Sequence, residues 1–295
     1  MRALVVGWSS VLHGEATAGD VLSMQAVAGA LAAHRIEHEL AWSAVMCPPG
    51  GLRLDDAEPS RYAHLLWVCG PLTGAAPAAL HARFAHCRRI AVGVSLVDAN
   101  AATVTGFHHV IARDGPDTTP QRDLAARVPQ PGVPVIGVYL TEGQAEYGER
   151  RRHGEVSARV QECLAQWDIA GIELGTRLNP RDWRMPSTSA QVESLLRRVD
   201  VVVTMRLHGL VLALKNGIPA VALDPVARGG KVSAQARAWA WPAVVGEERI
   251  DDGELRRQLR WCLSPAGRAA AAAARAQAHT AGQGQLDRLL VALHQ

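Results

Sequence analysis

The length, composition and charge of the chain exclude several classes of protein. Its 295 residues are 48% hydrophobic and 20% charged, which is ordinary for a globular enzyme and is enough for two domains. The formal net charge of +3 is too small to predict a nucleic-acid partner, and no apolar run reaches the ~18 residues that a transmembrane segment needs.

The five cysteines are scattered and odd in number, and no two of them form a Cys-x-x-Cys pair. This spacing predicts neither a disulfide framework nor a zinc site, so we expect no metal. The N-terminal sequence MRALVVGWSS has one charged side chain and a short apolar run, which favours a first strand over a signal peptide. We therefore expect a cytoplasmic protein, and the sequence leaves its oligomeric state open.

The first half of the chain alternates strand-like apolar runs with segments of helical periodicity. Asp20 is the expected N-cap of the first helix. Strands are predicted at residues 3–7, 65–69, 90–95 and 110–112, and helices at residues 20–34 and 77–87. Strands that alternate with helices indicate a parallel sheet with helices on both faces.

A proline-rich stretch, residues 115–134, breaks this alternation and predicts a linker. The alternation then resumes. Strands are predicted at residues 135–140, 171–174, 201–204 and 218–223, and helices at residues 155–168, 189–199 and, rich in alanine, 266–293. We therefore expect an α/β fold of two Rossmann-like domains, residues 1–130 and 131–295, that face each other across a cleft and end in a C-terminal helix.

Residues 200–231 form the most informative segment. A β-branched run at residues 201–204 predicts a buried parallel strand, and Arg206 and His208 follow it where a helix begins. That helix is predicted to end at Asn216-Gly217. Open α/β sheets bind ligands at the carboxyl ends of their strands, and helix N-termini attract anions. We therefore predict an anionic ligand at Arg206 and His208, with a proton-transfer step close to it.

Lysine is rare in this chain. Of 31 lysines and arginines, only Lys215 and Lys231 are lysines. Lys231 follows Gly229-Gly230, a flexible approach that suits ligand binding, so it is a candidate binding residue. Lys215 falls at the predicted end of a helix, which is typical of a solvated side chain.

In this segment the chain resembles the polysaccharide pyruvyl transferase family, whose signature is a strand, Arg-Leu-His, a helix, a Gly-x-Pro strand and a downstream lysine. The matching residues are Arg206, Leu207, His208, Gly217, Pro219 and Lys231. Weaker matches lie upstream, at Gly19-Asp20, Cys69-Gly70-Pro71, Val94-Ser95 and Arg113-Asp114.

The resemblance implies a GT-B-like fold and the transfer of a pyruvyl group from phosphoenolpyruvate to a sugar-containing acceptor as a ketal. It implies no metal and no nucleotide cofactor. The N-terminal domain would form the acceptor side and the C-terminal domain the phosphoenolpyruvate side. His208 would be the general acid and base, while Arg206, Leu207 and Lys231, with Arg113 and Asp20, would bind substrate.

These residue types suit that donor. Phosphoenolpyruvate carries a carboxylate and a phosphate close together, and arginine is the preferred partner for bidentate binding of either group. The reaction also needs a proton at the methylene carbon, for which an imidazole is suitable.

Each candidate residue also has a structural interpretation. Arg206 could pair with Asp224, His208 could cap its helix or fill an interface between domains, and Arg113 could form an internal ion pair with Asp114. Asp20 could act only as a helix cap.

Two other functions remain open from the sequence. A GT-B glycosyltransferase that uses a nucleotide sugar would have the same architecture, and Glu247 or Glu248 could then contact the donor ribose. A non-catalytic relative that binds an acidic metabolite or a protein would be expected to lose one of Arg206, His208 and Lys231, and all three are present.

Overall fold

The computed structural model describes residues 2–11, 16–143 and 145–294. The chain divides into two compact units, Met1–Pro131 and Gly132–Gln295. Each unit contains one sheet, and every strand pair within the two sheets is parallel. The predicted α/β class with two Rossmann-like sheets is therefore confirmed.

The N-terminal unit has a six-stranded sheet with the strand order β3-β2-β1-β4-β5-β6. The strands are β1 (Arg2–Gly7), β2 (Glu37–Trp42), β3 (Leu52–Arg53), β4 (His64–Val68), β5 (Arg88–Ser95) and β6 (His109–Asp114), and the helices are α1 (Ala18–Ala33), α2 (Ala75–Arg83) and α3 (Ala102–Thr105). The strand order reverses direction between β1 and β4, so a crevice is expected at the carboxyl ends of these two strands.

Strand β1 shows why an apolar run becomes the centre of this sheet. Leu4 and Val6 pack into the core on one face, while Ala3 and Val5 pack into the core on the other. Successive side chains of a strand point to opposite faces, so a continuous apolar run can be buried only between two layers.

The C-terminal unit has a five-stranded sheet with the order β11-β10-β9-β7-β8. The strands are β7 (Val135–Tyr139), β8 (Ala170–Glu173), β9 (Val201–Thr204), β10 (Ala220–Asp224) and β11 (Val244–Gly246). The helices are α4 (His153–Ala165), α5 (Ser189–Leu196), α6 (Leu207–Lys215), α7 (Lys231–Ala238), α8 (Asp252–Leu263), α9 (Pro265–Gln277) and α10 (Gln283–Leu293). Here the order reverses between β7 and β9.

Strands β9 and β10 are buried along their whole length. Helix α6 begins at Leu207, shortly after β9 ends at Thr204. Register places Val202 between Gly137 of β7 and Ala220 of β10. Helix α6 ends at Lys215, and Asn216 is its C-cap. Gly217 follows with a φ of +75°, a left-handed conformation that glycine adopts without strain.

Two local predictions are wrong. The N-cap of α1 is Thr17, whose side chain accepts a hydrogen bond from the Asp20 backbone, and Asp20 is the third helical residue, whose carboxylate accepts from Thr17 in return. The predicted helix over residues 266–293 is two helices, α9 and α10, because Gly282 adopts a φ of +76° between them.

The predicted linker contains ordered structure. Residues Leu124–Arg127 form a short 3-10 helix, and the Leu124 side chain packs on the N-terminal sheet beside Gly93. Several strands and helices had no sequence prediction, namely β2, β3, α3, α7, α8 and β11. Within the described residues, no helix combines the length and apolarity that crossing a membrane requires.

The end of α6 leads to a stability prediction. We expect Gly217→Ala to lower the free energy of unfolding by about 1 kcal/mol or more, because alanine is strained at positive φ. The new Cβ would also lie 3.1 Å from Cδ of Arg275. Urea unfolding measures the change. Gly284→Ala is the control, since nothing lies within 4 Å of the Cβ that it adds to α10, and it should leave stability unchanged or higher.

Candidate functional site

A cavity of about 330 Å³ lies in the C-terminal unit, at the carboxyl ends of β7 and β9. Its lining residues are Thr141, His153, Thr176, Met205, Arg206, Leu207, His208 and Lys231. Four residues that the sequence singled out, Arg206, Leu207, His208 and Lys231, therefore line one cavity. The cavity lies where the strand order reverses, which is the usual ligand position in an open α/β sheet.

Three helices begin at this cavity. His153 is the first residue of α4, Leu207 is the first residue of α6, and Lys231 is the first residue of α7. The first N–H groups of a helix have no partner within the helix, and together they carry a partial positive charge. A cavity at three helix starts is therefore suited to an anion.

The start of α7 is already satisfied by Asp224, a carboxylate that is 1% exposed. Asp224 Oδ2 accepts hydrogen bonds from the backbone N–H of Gly230 (2.7 Å) and of Ser233 (2.8 Å). In the described part of the chain, no side chain caps α4 or α6. The orphan donors of these two helices are therefore left for a ligand.

Arg206 lies immediately before α6 and is half-buried. Its backbone N–H donates to Thr204 Oγ1 (2.9 Å), and its guanidinium Nε donates to the carbonyl oxygen of Leu140 (3.3 Å). Within residues 2–11, 16–143 and 145–294, Arg206 forms no salt bridge with a carboxylate. Asp224, its proposed internal partner, binds the start of α7.

His208 is exposed at the second position of α6, and Lys231 is exposed at the first position of α7. The N-cap position of α6 belongs to Arg206, so His208 does not cap the helix. Both residues line the cavity.

The sequence reasoning missed His153, which is 5% exposed. Its ring Nδ1 is buried and has no hydrogen-bond partner among the described residues. Burial is the main cause that lowers the pKa of this imidazole; Arg151 and Lys231 lower it further, and Asp224 opposes them. The sequence did contain a signal for a site residue, because His153 lies between a predicted strand and a predicted helix. However, 55 positions separate His153 from His208, and only the fold brings them to one cavity.

Two larger cavities adjoin the same edge of the sheet and share Thr141 with the first. One, of about 600 Å³, is also lined by His153 and Arg151. The other, of about 730 Å³, is also lined by Arg206 and Arg177. In the described ranges, no group of three or more His, Cys, Asp or Glu side chains could hold a metal ion.

Arg113 and Asp20 line a cavity of about 630 Å³ within the N-terminal unit, together with Trp8, Cys69 and Gly70. That cavity lies at the carboxyl ends of β1 and β4, where the order of the first sheet reverses.

The charge of Arg113 is balanced by carboxylates of its own unit. Nε donates to Asp114 Oδ2 (2.7 Å), Nη2 donates to Ser95 Oγ (2.7 Å), and Nη1 forms an ion pair with Asp123. These bonds raise the pKa of Arg113 and lower that of Asp114. The internal ion pair that was the structural interpretation of Arg113 is present, and substrate binding by Arg113 or Asp20 stays a prediction.

Comparison with known proteins gives one family match. Residues 178–225 match the family model described as polysaccharide pyruvyl transferase, which confirms the resemblance over a part of the chain that contains Arg206, Leu207 and His208. Lys231 lies beyond the matched residues. No curated protein matches the sequence.

Solved structures show a distant likeness over nearly the whole chain. The spinosyn forosaminyltransferase SpnP is 14% identical, with 99% of both chains covered and a TM-score of 0.35. The calicheamicin glycosyltransferase CalG4 is 14% identical, with 100% of this chain and 98% of that chain covered and a TM-score of 0.36. The glycosyltransferase SnogD from Streptomyces nogalater is 15% identical, with 95% of both chains covered and a TM-score of 0.33. These TM-scores are too low to support an argument about function.

The buried imidazole of His153 predicts a pH dependence of folding stability. Its pKa in the folded protein is lowered, so the unfolded chain binds the proton first as the pH falls. The stability gained from the neutral form is complete above the unfolded pKa of about 6.5 and is lost as the pH falls toward the folded pKa.

We therefore expect His153→Gln to lose less unfolding free energy than the wild type between about pH 7.5 and about pH 5.5. Urea unfolding at each pH measures this difference. Equal losses in the two proteins would contradict the prediction.

Proposed function

We propose that the protein is a transferase that moves a pyruvyl group from phosphoenolpyruvate to the hydroxyls of a sugar-containing acceptor. The observation that carries this proposal is the cavity at the start of α6, which Arg206, His208 and Lys231 line together. The family match over residues 178–225 supports the same reaction class, because it covers the strand and the Arg-Leu-His sequence.

The cavity matches the charge of this donor. In phosphoenolpyruvate the carboxylate and the phosphate ester are both attached to C2. The two anionic groups therefore need positive charge on two sides of the donor. The planar guanidinium of Arg206 can bind either group in a bidentate manner, and Lys231 adds a point charge from α7. The uncapped starts of α4 and α6 add N–H donors for two separate anionic groups.

The proposed reaction begins with a proton from His208 to the methylene carbon of the donor, which leaves an oxocarbenium-like centre at C2. One acceptor hydroxyl forms a bond to C2 and gives its proton to the imidazole. The C2–O bond to phosphate then breaks, and the second hydroxyl closes the ketal. Overall, the two hydroxyl protons end on the new methyl group and on the released hydrogen phosphate, so atoms and charge balance.

The acceptor side is assigned to the N-terminal unit. Its 630 Å³ cavity offers an indole from Trp8 and hydroxyls from Thr17 and Thr73, which are groups that bind sugars. This assignment follows the predicted division of labour between the two halves.

Donor binding is the first test. We expect phosphoenolpyruvate to raise the melting temperature of the protein, because a ligand that binds only the folded state stabilises it. Arg206→Gln should raise the dissociation constant for phosphoenolpyruvate by about tenfold or more, measured by isothermal titration calorimetry. Arg237→Gln is the matched control, because Arg237 lies on α7 outside the cavity lining. Stabilisation by nucleotide sugars but not by phosphoenolpyruvate would favour a glycosyltransferase instead.

Turnover is the second test. We expect His208→Gln to bind phosphoenolpyruvate within a few-fold of wild type and to lose about a hundredfold or more of its transfer rate, since general acid–base catalysis contributes about 10²–10⁴-fold. Phosphate release in the presence of a panel of free, nucleotide-linked and lipid-linked sugars measures the rate. Equal losses of binding and rate would make His208 a binding residue only.

A further inference from the structure

His153 is a buried side chain of the site to which the proposed reaction gives no role. It is 5% exposed, yet its ring lines both the 330 Å³ cavity and the adjoining 600 Å³ cavity. Nδ1 is buried, lacks a partner among the described residues and would lie 2.8 Å from a Cβ built on Gly143. Nδ1 therefore faces the Gly143 backbone, which leaves Nε2 as the ring nitrogen for a ligand in the cavity.

The surroundings of His153 determine its proton state. Burial and the charges of Arg151 and Lys231 lower its pKa, against the opposing charge of Asp224, so the ring is neutral at pH 7. A neutral imidazole carries one N–H. A buried N–H without a partner is rarer and costlier than an unpaired acceptor, so the proton belongs on Nε2. His153 thus presents a donor, not an acceptor, to the cavity.

The backbone next to His153 offers donors of the same kind. Helix α4 starts at this residue, runs for 13 residues, and has no side-chain cap in the described part of the chain. Gly154 follows, and nothing lies within 4 Å of the position that a Cβ would take there, so a ligand can approach the backbone closely. The first N–H groups of α4 have no partner within the helix, and no side chain at Gly154 covers the helix start.

We propose that His153 is a donor-binding residue that, together with the start of α4, holds the phosphate of phosphoenolpyruvate through an Nε2–H hydrogen bond. This inference rests on the proposed function, because it takes the donor from there. It divides the site into two halves, with the phosphate at α4 and the carboxylate at Arg206 and the start of α6.

Charge and bonding capacity support this division over the reverse. The phosphate dianion carries more charge than the carboxylate and has three terminal oxygens to satisfy. Arg151 and Lys231 add positive charge near His153, opposed by Asp224, and Gly154 adds no side chain at the helix start. Glu142, Glu155 and Glu173 line the 600 Å³ cavity, so the phosphate belongs on the 330 Å³ side of His153, where the lining within the described residues contains no carboxylate. At α6, Arg206 can bind either group, but two large side chains, Leu207 and His208, leave less room at the helix start, which favours the smaller carboxylate there.

The experiment compares three probes by isothermal titration calorimetry: phosphoenolpyruvate with both groups, inorganic phosphate alone, and pyruvate with the carboxylate alone. We expect His153→Phe, which keeps the ring shape without nitrogen, to weaken phosphoenolpyruvate and inorganic phosphate by about tenfold to a hundredfold and to leave pyruvate unchanged. Arg206→Gln should show the opposite selectivity, with the loss falling on pyruvate and phosphoenolpyruvate.

His153→Gln is the matched variant, because its amide N–H can reach the neighbourhood of Nε2. It should restore part of the phosphate affinity that His153→Phe loses. In the wild type, ¹⁵N NMR of the histidine rings should show a neutral His153 with the proton on Nε2, and phosphoenolpyruvate and inorganic phosphate should shift that signal while pyruvate does not. This measurement needs no variant, so a folding defect in His153→Phe leaves the proposal testable.

The outcomes separate this inference from the proposed function. Equal losses for all three probes in His153→Phe, unchanged binding of phosphate, or a proton on Nδ1 would overturn the role of His153 while the transferase proposal stands. Binding of inorganic phosphate that depends on His153, with no added affinity for phosphoenolpyruvate, would support the phosphate contact and overturn the donor assignment. Wild-type protein that binds none of the probes would overturn both.

Discussion

Helices α4 and α6 begin at the same cavity, and neither starts with a side chain that satisfies its first N–H groups within the described residues. Thr17, Thr188 and Asp251 supply such caps for α1, α5 and α8, whereas α2, α3 and α10 also begin without one in the part of the chain that the structure describes. What distinguishes α4 and α6 is that arginines occupy their N-cap positions, where serine or aspartate would be the stabilising choice, and that both helices start at one cavity. The cavity therefore concentrates unsatisfied donors and cations, and this arrangement is what suits it to an anion.

Asp224 does not neutralise the positive charge of Arg206. It is a buried carboxylate at the same edge of the sheet as Arg206, and a direct ion pair between them would cancel the charge that an anionic ligand needs. Its two oxygens instead accept from the backbone at Val226, Gly230 and Ser233. The turn after β10 thus uses the Asp224 carboxylate to hold the start of α7, which in turn places Lys231 at the cavity.

Local patterns predicted the part of the site that is continuous in sequence. The β-branched strand, Arg206 before α6 and His208 in its first turn lie within eight residues, so periodicity and helix-start rules were enough to find them. His153 belongs to another β-α unit, and only the parallel pairing of β7 with β9 brings it to Arg206. For Arg113, the sequence predicted only one of its two ion pairs. The pair with the adjacent Asp114 was predicted, but the pair with Asp123 was not, because Asp123 lies in the proline-rich stretch that was predicted to be a linker.

Some errors came from rules that fix an element but not its ends. An acidic residue at the start of an apolar helix fits both the N-cap and the third helical position, and only the hydrogen bonds of Thr17 decide between them. The alanine-rich C-terminus has high helical propensity, which Gly282 and Gly284 weaken only in its middle, so the break depends on the left-handed conformation of Gly282.

With arginines at the two N-cap positions, Arg152 and Arg206, the folding stability of the protein conflicts with the proposed binding of an anion. Replacing either by aspartate would supply the missing cap and add a negative charge at a positive helix end, and both changes favour the folded state. The same change would fill the anion's place with the protein's own carboxylate. Under the proposed function, selection for heat resistance alone would therefore be expected to close this site, because the more stable capped protein would bind its anion less tightly.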